Sequence, residues 1–492
     1  MKKHILLLIC FTVVLTSCDQ WLDVKPSTQL DREELLSTEK GYAEAVKGVY
    51  TQMSDGSLYG RNLNWGGVDV LGGLYQTSFA DPFNDLRQYA YVKGENYVSN
   101  VAVALVENFW SKLYNAIAGI NSILGKIDAS EEIFSEDNYS VIKGESIGLR
   151  AFLHFELLRL YGDVYEKCRD EQVLPFVIDL TTAVTPELTG EQAITFIITQ
   201  LEEAVELLEN DPMRLGTTPS IVLASAPSVN TSNNIYAWHN RRVHFNYYAA
   251  KATLARAYLW KGEKRKALEA ALEIIAEQED RFPWVRSSNL TSIGSETSED
   301  QDRTFATEHI FALNITNMDE LIAGYHNNME SSGSSNIFVQ TNIFTLDEQG
   351  TDPRYRYLHL MYNAGLPFLT KFYQPARVHS YFKYRMPLIR ISEMYYIAAE
   401  CTPNWQDGLK YLETVRGQRG MGSLPLNNVN STETLQNEIY KEYRKEFMGE
   451  GQLWFYFKRH QFTTIPNMSL FKGTHAYIFP RPETEELYGD RN

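Results

Sequence analysis

The sequence predicts a mainly α-helical protein in which helix pairs stack on one another and long, irregular, aromatic-rich segments are inserted between them. Three observations lead to this fold class. Apolar residues recur with the 3.6-residue period of an α-helix through most of the chain, and alternating strand patterns are scarce. One stretch carries the spacing of a helix-turn-helix repeat, and three long stretches between predicted helices are rich in Gly, Asn, Ser and aromatic residues.

The composition is that of a folded, acidic protein. The 492 residues include 46 Lys and Arg against 62 Asp and Glu, a formal net charge of −16. This balance argues against nucleic-acid binding, which needs a basic surface. Aromatic residues make up 13% of the chain, more than packing alone requires, so we expect some of these rings to act at a surface.

Residues 1–17 form a predicted export signal. Two lysines precede an apolar run over residues 5–15, which is shorter than the about 20 residues needed to span a bilayer. The run ends in Leu-Thr-Ser followed by Cys18, the pattern of a bacterial lipobox. We therefore expect Cys18 to carry a lipid anchor, residues 18–28 to form a tether and residues 29–492 to form a single domain.

Two cysteines remain after Cys10 is removed with the signal and Cys18 is lipidated. These are Cys168 and Cys401, in a chain that is exported to an oxidising environment. The sequence leaves open whether they form a disulfide.

Helical periodicity predicts nine helices in the mature chain. Their ranges are 32–53, 101–127, 138–161, 191–209, 246–260, 263–277, 391–401, 406–418 and 432–448. The pair over 246–277 has the spacing of the tetratricopeptide repeat, in which small residues allow two helices to approach and a glycine ends the first. The residues at those spacings are Leu254, Ala255, Tyr258, Gly262 and Ala267.

The three predicted insertions are residues 54–100, 212–246 and 281–384. Irregular segments of this length are usually either functional or disordered. Their many aromatic residues argue against disorder. We therefore expect the binding surface to lie on these insertions.

The sequence contains none of the common catalytic motifs for zinc hydrolysis, serine hydrolysis, phosphate binding or dinucleotide binding. It predicts no cofactor and no metal site, and the Asp-poor loops offer no calcium cage. Glu442, Glu446 and Glu450 could supply paired acids for glycoside hydrolysis. We favour ion pairing instead, because nearby Arg and Lys residues would keep these carboxylates ionised, whereas a general acid needs a raised pKa.

Five stretches of the chain, in order, resemble one protein family, the outer-membrane SusD/RagB substrate-binding lipoproteins. They are CDQWLD at 18–23, KGESIGLRAFLHFELLRLYGD at 143–163, DPR at 352–354, PLIRISEMYYIAAE at 387–400 and RKEFMGEG at 444–451, the last followed by Trp454 and Lys458-Arg459. The resemblance implies a tetratricopeptide-like scaffold that carries an irregular ligand-binding face.

The resemblance also implies a function. Members of this family form a surface-exposed lid on a TonB-dependent, SusC-like transporter, to which they pass captured oligosaccharides or, in some members, peptides, without catalysis. The chain is thus expected at the cell outer membrane, lipid-anchored and facing the exterior. The alternatives are peptide capture on the same fold and, less favoured, a surface glycoside hydrolase.

Ligand-contacting residues are expected where aromatic rings and amides coincide in the insertions, because sugar C–H faces stack on rings and hydroxyls bind amides. In this family's layout, the segment after the first helix and the central insertion usually hold the contacts. We predict Trp65, Tyr75, Trp284 and Tyr325 as stacking platforms, with Asn64, Asn327 and Asn328 as hydrogen-bond partners. The alternative for Trp65 and Trp284 is that they pack the insertions onto the scaffold. Trp110 and Trp454 are expected in the core.

Overall fold

A stack of antiparallel helices forms the scaffold of the protein, as a computed structural model shows. The structure describes residues 32–76, 85–87, 99–135, 137–181, 183–215, 241–295, 297–323, 338–362, 366–425, 427–468, 471 and 473–489. The main helices in these ranges are α1 (Glu39–Met53), α2 (Gly67–Leu71), α3 (Asn100–Ile127), α4 (Asn138–Tyr161), α5 (Tyr165–Cys168), α6 (Gly190–Leu207), α7 (Pro212–Leu215), α8 (Tyr247–Trp260) and α9 (Lys264–Ala276).

The second half of the chain contributes shorter helices and completes the stack. These are α10 (Gln278–Arg281), α11 (Ser287–Thr291), α12 (Met318–Ile322), α13 (Leu346–Thr351), α14 (Pro353–Leu358), α15 (Ile391–Cys401), α16 (Trp405–Gln418), α17 (Thr432–Glu446), α18 (Gln452–Arg459) and α19 (Glu483–Tyr488).

Neighbouring helices pack in a continuous order. Helix α1 packs on α3, α3 on α4, α4 on α6, α6 on α8, α8 on α9, α9 on α15, α15 on α16, and both α15 and α16 on α17. The contact between α9 and α15 closes the stack across the long central insertion. This arrangement confirms the predicted mainly α, tetratricopeptide-like scaffold.

The two innermost helices are buried on nearly all sides. Helix α4 is buried from Glu145 to Tyr161, and α8 is buried except at Lys251. Close approach is possible because small residues line the contacts: a Cβ at Gly148 would lie 2.3 Å from the ring of Phe245. These helices therefore lack a strong amphipathic pattern, as expected for helices surrounded by protein.

Three antiparallel strand pairs complete the described fold. Strand β1 (Gln172–Pro175) pairs with β2 (Glu187–Thr189), β3 (His309–Asn314) with β6 (Arg385–Arg390), and β4 (His359–Tyr362) with β5 (Leu366–Leu369). The β3–β6 pair joins a strand inside the central insertion to the segment that directly follows the insertion. Short strands such as these have too few residues to show an alternating pattern in the sequence.

Cys168 and Cys401 are buried and free, so no disulfide joins them. Burial raises the pKa of the Cys168 thiol to about 11 and that of Cys401 to about 12, which keeps both protonated. Within the ranges described above, no helix is long and apolar enough to cross a membrane.

Candidate functional site

The first and third insertions meet in a small sheet, which we call the insertion platform. It consists of residues 74–76, residues 338–340, β5 and β4. The Gln76 amide donates to the Phe338 carbonyl over 2.8 Å, and the Gln340 amide donates to the Leu74 carbonyl over 2.8 Å. The Val339 amide donates to the Pro367 carbonyl over 2.7 Å, which joins this pair to β5. The two predicted ligand-binding insertions thus share one backbone framework.

Two glutamine side chains reinforce the junction between the insertions. The side-chain amide of Gln76 donates to the Val339 carbonyl over 2.8 Å. That of Gln340 donates to the Tyr75 carbonyl over 3.1 Å. Each glutamine thus binds the backbone of the opposite segment, and this fixes the register of the pair.

An exposed pair of asparagines lies beside the platform. The Asn342 side-chain amide donates to Asn467 Oδ1 over 2.8 Å, and Asn467 donates back to Asn342 Oδ1 over 3.1 Å. Arg444 donates to the carbonyls of Asn342 and Ile343, both over 3.1 Å. Both asparagines are exposed, so their amides can also reach a ligand hydroxyl.

The buried carboxylate of Asp69 connects the platform to the loop after α17. Asp69 accepts hydrogen bonds from the Gly449 amide over 2.8 Å and the Gly451 amide over 3.2 Å, and the Tyr75 hydroxyl faces it. Burial outweighs these hydrogen bonds and raises the pKa of Asp69 to about 7. Tyr75 thereby links the platform to the glycine-containing loop after α17.

Tyr373 is a partly exposed aromatic ring four residues after the end of β5. Its exposed fraction is 36%, and the guanidinium carbon of Arg303 lies 5.3 Å from the ring centroid. Arg303 also donates to the Thr370 hydroxyl over 3.0 Å, which holds the guanidinium in place. Burial lowers the pKa of Arg303 to about 10. An exposed ring beside a fixed guanidinium suits a sugar, which offers both C–H faces and hydroxyls.

Three of the predicted site residues are buried inside the fold. Trp65 and Asn64 are fully buried in the turns after α1, where Trp65 Nε1 donates to the Gly60 carbonyl over 3.1 Å and Asn64 donates to the Tyr59 carbonyl over 2.7 Å. Tyr75 is also fully buried. Because Trp65 and Tyr75 are buried, a ligand could stack on their rings only if the chain segments around them opened.

Trp284 is half-buried on the scaffold, with its ring centroid 5.3 Å from that of Tyr395 on α15 and 5.5 Å from the guanidinium carbon of Arg419. Its stacking role stays a prediction. Tyr325, Asn327 and Asn328 lie outside the described residues. Trp110 and Trp454 are buried, as expected for core residues.

Sequence reasoning missed Gln76, Gln340, Asn342, Asn467 and Tyr373. The prediction used aromatic and Asn residues inside the insertions, and Asn467 lies far outside them. The chain contains many tyrosines, and nothing in the sequence around Tyr373 indicates that its ring is exposed. Pairing between distant segments brings Gln76, Gln340, Asn342 and Asn467 together.

The carboxylates of the C-terminal signature lie in a buried ion-pair network. Glu446 contacts Arg390 over 2.5 Å, Arg419 over 2.6 Å and Arg354 over 2.9 Å, and Glu450 contacts Arg390 and Lys371. Burial raises the pKa of Glu446, but the charges of Arg419 and Arg390 outweigh it and hold that pKa well below its ordinary value. This confirms the predicted ion pairing of these carboxylates.

Comparison with known proteins yields two family matches. Residues 20–227 match a SusD-like family described as starch-binding and associating with the outer membrane, and residues 321–488 match the SusD family. SusD-like protein P25 of Formosa agariphila is 27% identical over 158 residues, which is 30% of this chain and 28% of that protein. SusD-like protein P2 of the same organism is 23% identical over 287 residues, 57% of this chain and 48% of that protein. The matched segments thus span about half or less of these curated relatives.

Solved structures share the fold over nearly the whole chain. A SusD-like carbohydrate binding protein from Bacteroides vulgatus aligns with a TM-score of 0.68 at 18% identity, covering 92% of this chain and 97% of that one. A SusD superfamily protein from Bacteroides thetaiotaomicron aligns with a TM-score of 0.64 at 21% identity, covering 92% and 98%. The two family matches, the relatives and the helical fold lead to one conclusion: the chain belongs to the SusD/RagB family.

Proposed function

We propose that this protein captures oligosaccharides at the insertion platform and delivers them to a partner TonB-dependent, SusC-like transporter, without catalysis. The observation that carries the proposal is the backbone pairing of residues 74–76 with 338–340, which joins two insertions into one framework on the helical scaffold. The family description, starch-binding and associating with the outer membrane, supports the ligand class. So does the B. vulgatus fold neighbour, which is described as carbohydrate binding.

The described residues supply the two kinds of group that saccharide binding needs. Tyr373 offers a partly exposed ring for a C–H face of a sugar. Asn342 and Asn467 offer exposed amides that both donate and accept hydrogen bonds. Because Arg444 and the glutamine pair hold the surrounding backbone, little conformational entropy is lost on binding.

The proposal places the protein on the outside of the outer membrane, anchored through a lipid on Cys18. The lipobox pattern before Cys18 supports the anchor. A single lipid and a tether would leave the folded domain free to move over a transporter.

The burial and ion pairing of the acidic residues that a hydrolase would use support capture without hydrolysis. Glu446 and Glu450 are buried and paired with Arg and Lys side chains. A glycosidase needs one carboxylic acid with a raised pKa and access to the scissile bond. Glu446 has a lowered pKa and no access to solvent.

The test is calorimetric titration of the chain from Ser27 onward with panels of oligosaccharides and short peptides, followed by product analysis. We expect saccharide binding without turnover, and a roughly tenfold weaker affinity in Tyr373→Ala, equivalent to about 1.4 kcal/mol of lost stacking. Tyr411→Ala is the matched control, because Tyr411 is also a partly exposed tyrosine but lies on α16. Binding of peptides alone would replace oligosaccharides by peptides as the ligand, and saccharide cleavage would overturn the non-catalytic proposal.

The transporter partnership needs a separate experiment. We expect the full chain to co-purify from outer membranes with a TonB-dependent transporter, and transport of the bound saccharide to fall when the chain is deleted. Unchanged uptake in the deletion strain would contradict the delivery role.

A further inference from the structure

A second concave surface lies apart from the insertion platform. It is a groove of about 700 Å³, bounded by one face of α3, a strap formed by residues 175–181 and 183–185, and the C-terminal segment at 482–489. None of its lining residues belongs to the platform. Its volume falls in the usual range of small-ligand sites.

Two aromatic rings form the base of the groove and are held rigidly. The Tyr114 hydroxyl donates to the Pro175 carbonyl over 2.7 Å. The Trp110 ring centroid lies 5.0 Å from that of Tyr114 and 4.9 Å from that of Tyr161, with Tyr161 at nearly a right angle. Trp110 is almost completely buried, whereas Tyr114 is half-buried, so Tyr114 offers the larger ring surface to the groove.

A row of polar side chains lines the α3 wall. Asn108, Ser111 and Asn115 recur at intervals of three and four residues, so they lie on one helix face, and all three are exposed. Glu107 on the same helix and Thr185 on the strap add further oxygen atoms. Amides, hydroxyls and a carboxylate around an aromatic base are the groups that recognise sugar hydroxyls and ring faces.

The strap that forms the opposite wall is fixed by side chains from the core. Asn121 donates to the Val177 carbonyl over 3.0 Å, and Arg150 donates to the Ile178 carbonyl over 3.1 Å. The Val177 amide donates to His154 Nε2 over 3.1 Å, which requires a neutral imidazole. Burial lowers the pKa of His154 to about 3, so this hydrogen bond persists at neutral pH. These hydrogen bonds hold the beginning of the strap against α3 and α4.

We propose that this groove is a second saccharide site, specific for neutral oligosaccharides. The charge of the lining decides the specificity: among the residues that the structure describes, the lining contains the carboxylates of Glu107 and Glu485 and no Lys, Arg or His. This excess of carboxylates disfavours uronic acids and sulfated sugars, which carry negative charge. The inference rests on the proposed function, since it assumes that the protein encounters oligosaccharides.

The test is calorimetric titration of the full chain with neutral hexasaccharides of glucose and mannose and with a galacturonic acid hexamer. We expect two sites for at least one neutral hexasaccharide, and a loss of at least thirtyfold in affinity at one of them in Ser111→Arg, which places a long side chain across the groove. Gly125→Arg is the matched control, because it adds the same side chain to the same helix at a position where a Cβ meets no atom within 4 Å.

The outcomes separate this inference from the proposed function. Saccharide binding that is unchanged in Ser111→Arg would overturn the groove and leave the platform intact. Binding that is lost in Ser111→Arg but unchanged in Tyr373→Ala would support the groove and contradict the platform. Preferential binding of the galacturonic acid hexamer in the wild type, lost in Ser111→Arg, would overturn the specificity for neutral sugars, as would the absence of any neutral-saccharide binding. An unchanged melting temperature in Ser111→Arg shows that the variant is folded.

Discussion

The Gln76 side-chain amide donates to the backbone carbonyl of Val339 over 2.8 Å, across a separation of 263 residues in the sequence. Gln340 makes the reciprocal contact to Tyr75. These two hydrogen bonds lie at the only described backbone junction between the first and third insertions. The shape of the proposed binding surface therefore depends on them.

Removing the Gln76 side chain should loosen this junction without unfolding the scaffold. We expect Gln76→Ala to lower the free energy of unfolding by about 1 kcal/mol, the usual value of one intramolecular hydrogen bond. Saccharide affinity should fall as well, because the platform is no longer held in register. Urea unfolding and calorimetric titration measure the two effects. Gln418→Ala, at an exposed position at the end of α16, is the control, and equal affinity in both variants would contradict a role for the junction in binding.

Glu446 should be essential for stability rather than for catalysis. Glu446→Gln leaves Arg390 and Arg419 buried without the charge that both contact, and we expect a loss of about 3–5 kcal/mol in the free energy of unfolding. Glu44→Gln breaks only an exposed ion pair with Lys47 and should change stability by less than about 0.5 kcal/mol. A stable Glu446→Gln variant that had lost a saccharide-cleaving activity would instead support the hydrolase alternative.

The loop after α17 should tolerate no side chain at residue 451. Gly451 has a φ of +70°, and a Cβ there would lie 2.2 Å from the Leu63 carbonyl oxygen. We expect Gly451→Ala to cost about 2 kcal/mol or more, because the left-handed backbone and the clash both oppose it. Gly417→Ala is the contrasting variant, because residue 417 is an exposed position of α16 where an added Cβ meets no atom within 4 Å. This variant should stabilise the protein by about 0.5–1 kcal/mol. Equal melting temperatures for the two variants would show that the described loop geometry is wrong.

Acid should destabilise the protein through Glu145. Burial raises the pKa of Glu145, but the charges of Arg241 and His244 outweigh it and lower that pKa from 4.5 to about 2. Because the folded pKa lies below the unfolded one, this contribution to stability is complete above pH 4.5. It is lost as the pH falls from 4.5 towards 2, and amounts to roughly 3 kcal/mol.

The measurement is urea unfolding between pH 6 and pH 2.5. We expect a shallower decline in Glu145→Gln than in the wild type, since the variant has no proton to gain at this position. Glu132→Gln, at an exposed carboxylate, should follow the wild-type curve. Parallel curves for the wild type and Glu145→Gln would rule out this source of acid sensitivity.

Replacing Trp65 tests whether its ring packs in the core or contacts a ligand. Its side chain is fully buried, so Trp65→Ala should cost about 3–5 kcal/mol of stability through the cavity it leaves. Thermal unfolding of Trp65→Ala and of Trp284→Ala gives the comparison, and the half-buried Trp284 should cost less. If Trp65→Ala kept its melting temperature and lost saccharide affinity, the original stacking prediction would be correct.

Residue periodicity alone was enough to predict the helical scaffold. The predicted ranges 138–161 and 391–401 coincide with α4 and α15, and the predicted pair over 246–277 coincides with α8 and α9 to within one residue at each end. Periodicity succeeds here because helix hydrogen bonds are local and each scaffold helix must bury apolar residues against its neighbours. The sequence also predicted that Glu446 is ion-paired, but its partners Arg354, Arg390 and Arg419 lie 27 to 92 residues away and not among the neighbouring basic residues.

Which insertion residues are buried and which can meet a ligand depends on the packing of the whole chain. Trp65 and Tyr75 were predicted as stacking platforms, with packing onto the scaffold as the alternative for Trp65, and the structure buries both rings fully. Gln76, Val339 and Asn467 become neighbours only through pairings between segments hundreds of residues apart. Burial and long-range pairing depend on where the whole chain places each segment, and no local pattern of residue types encodes that placement.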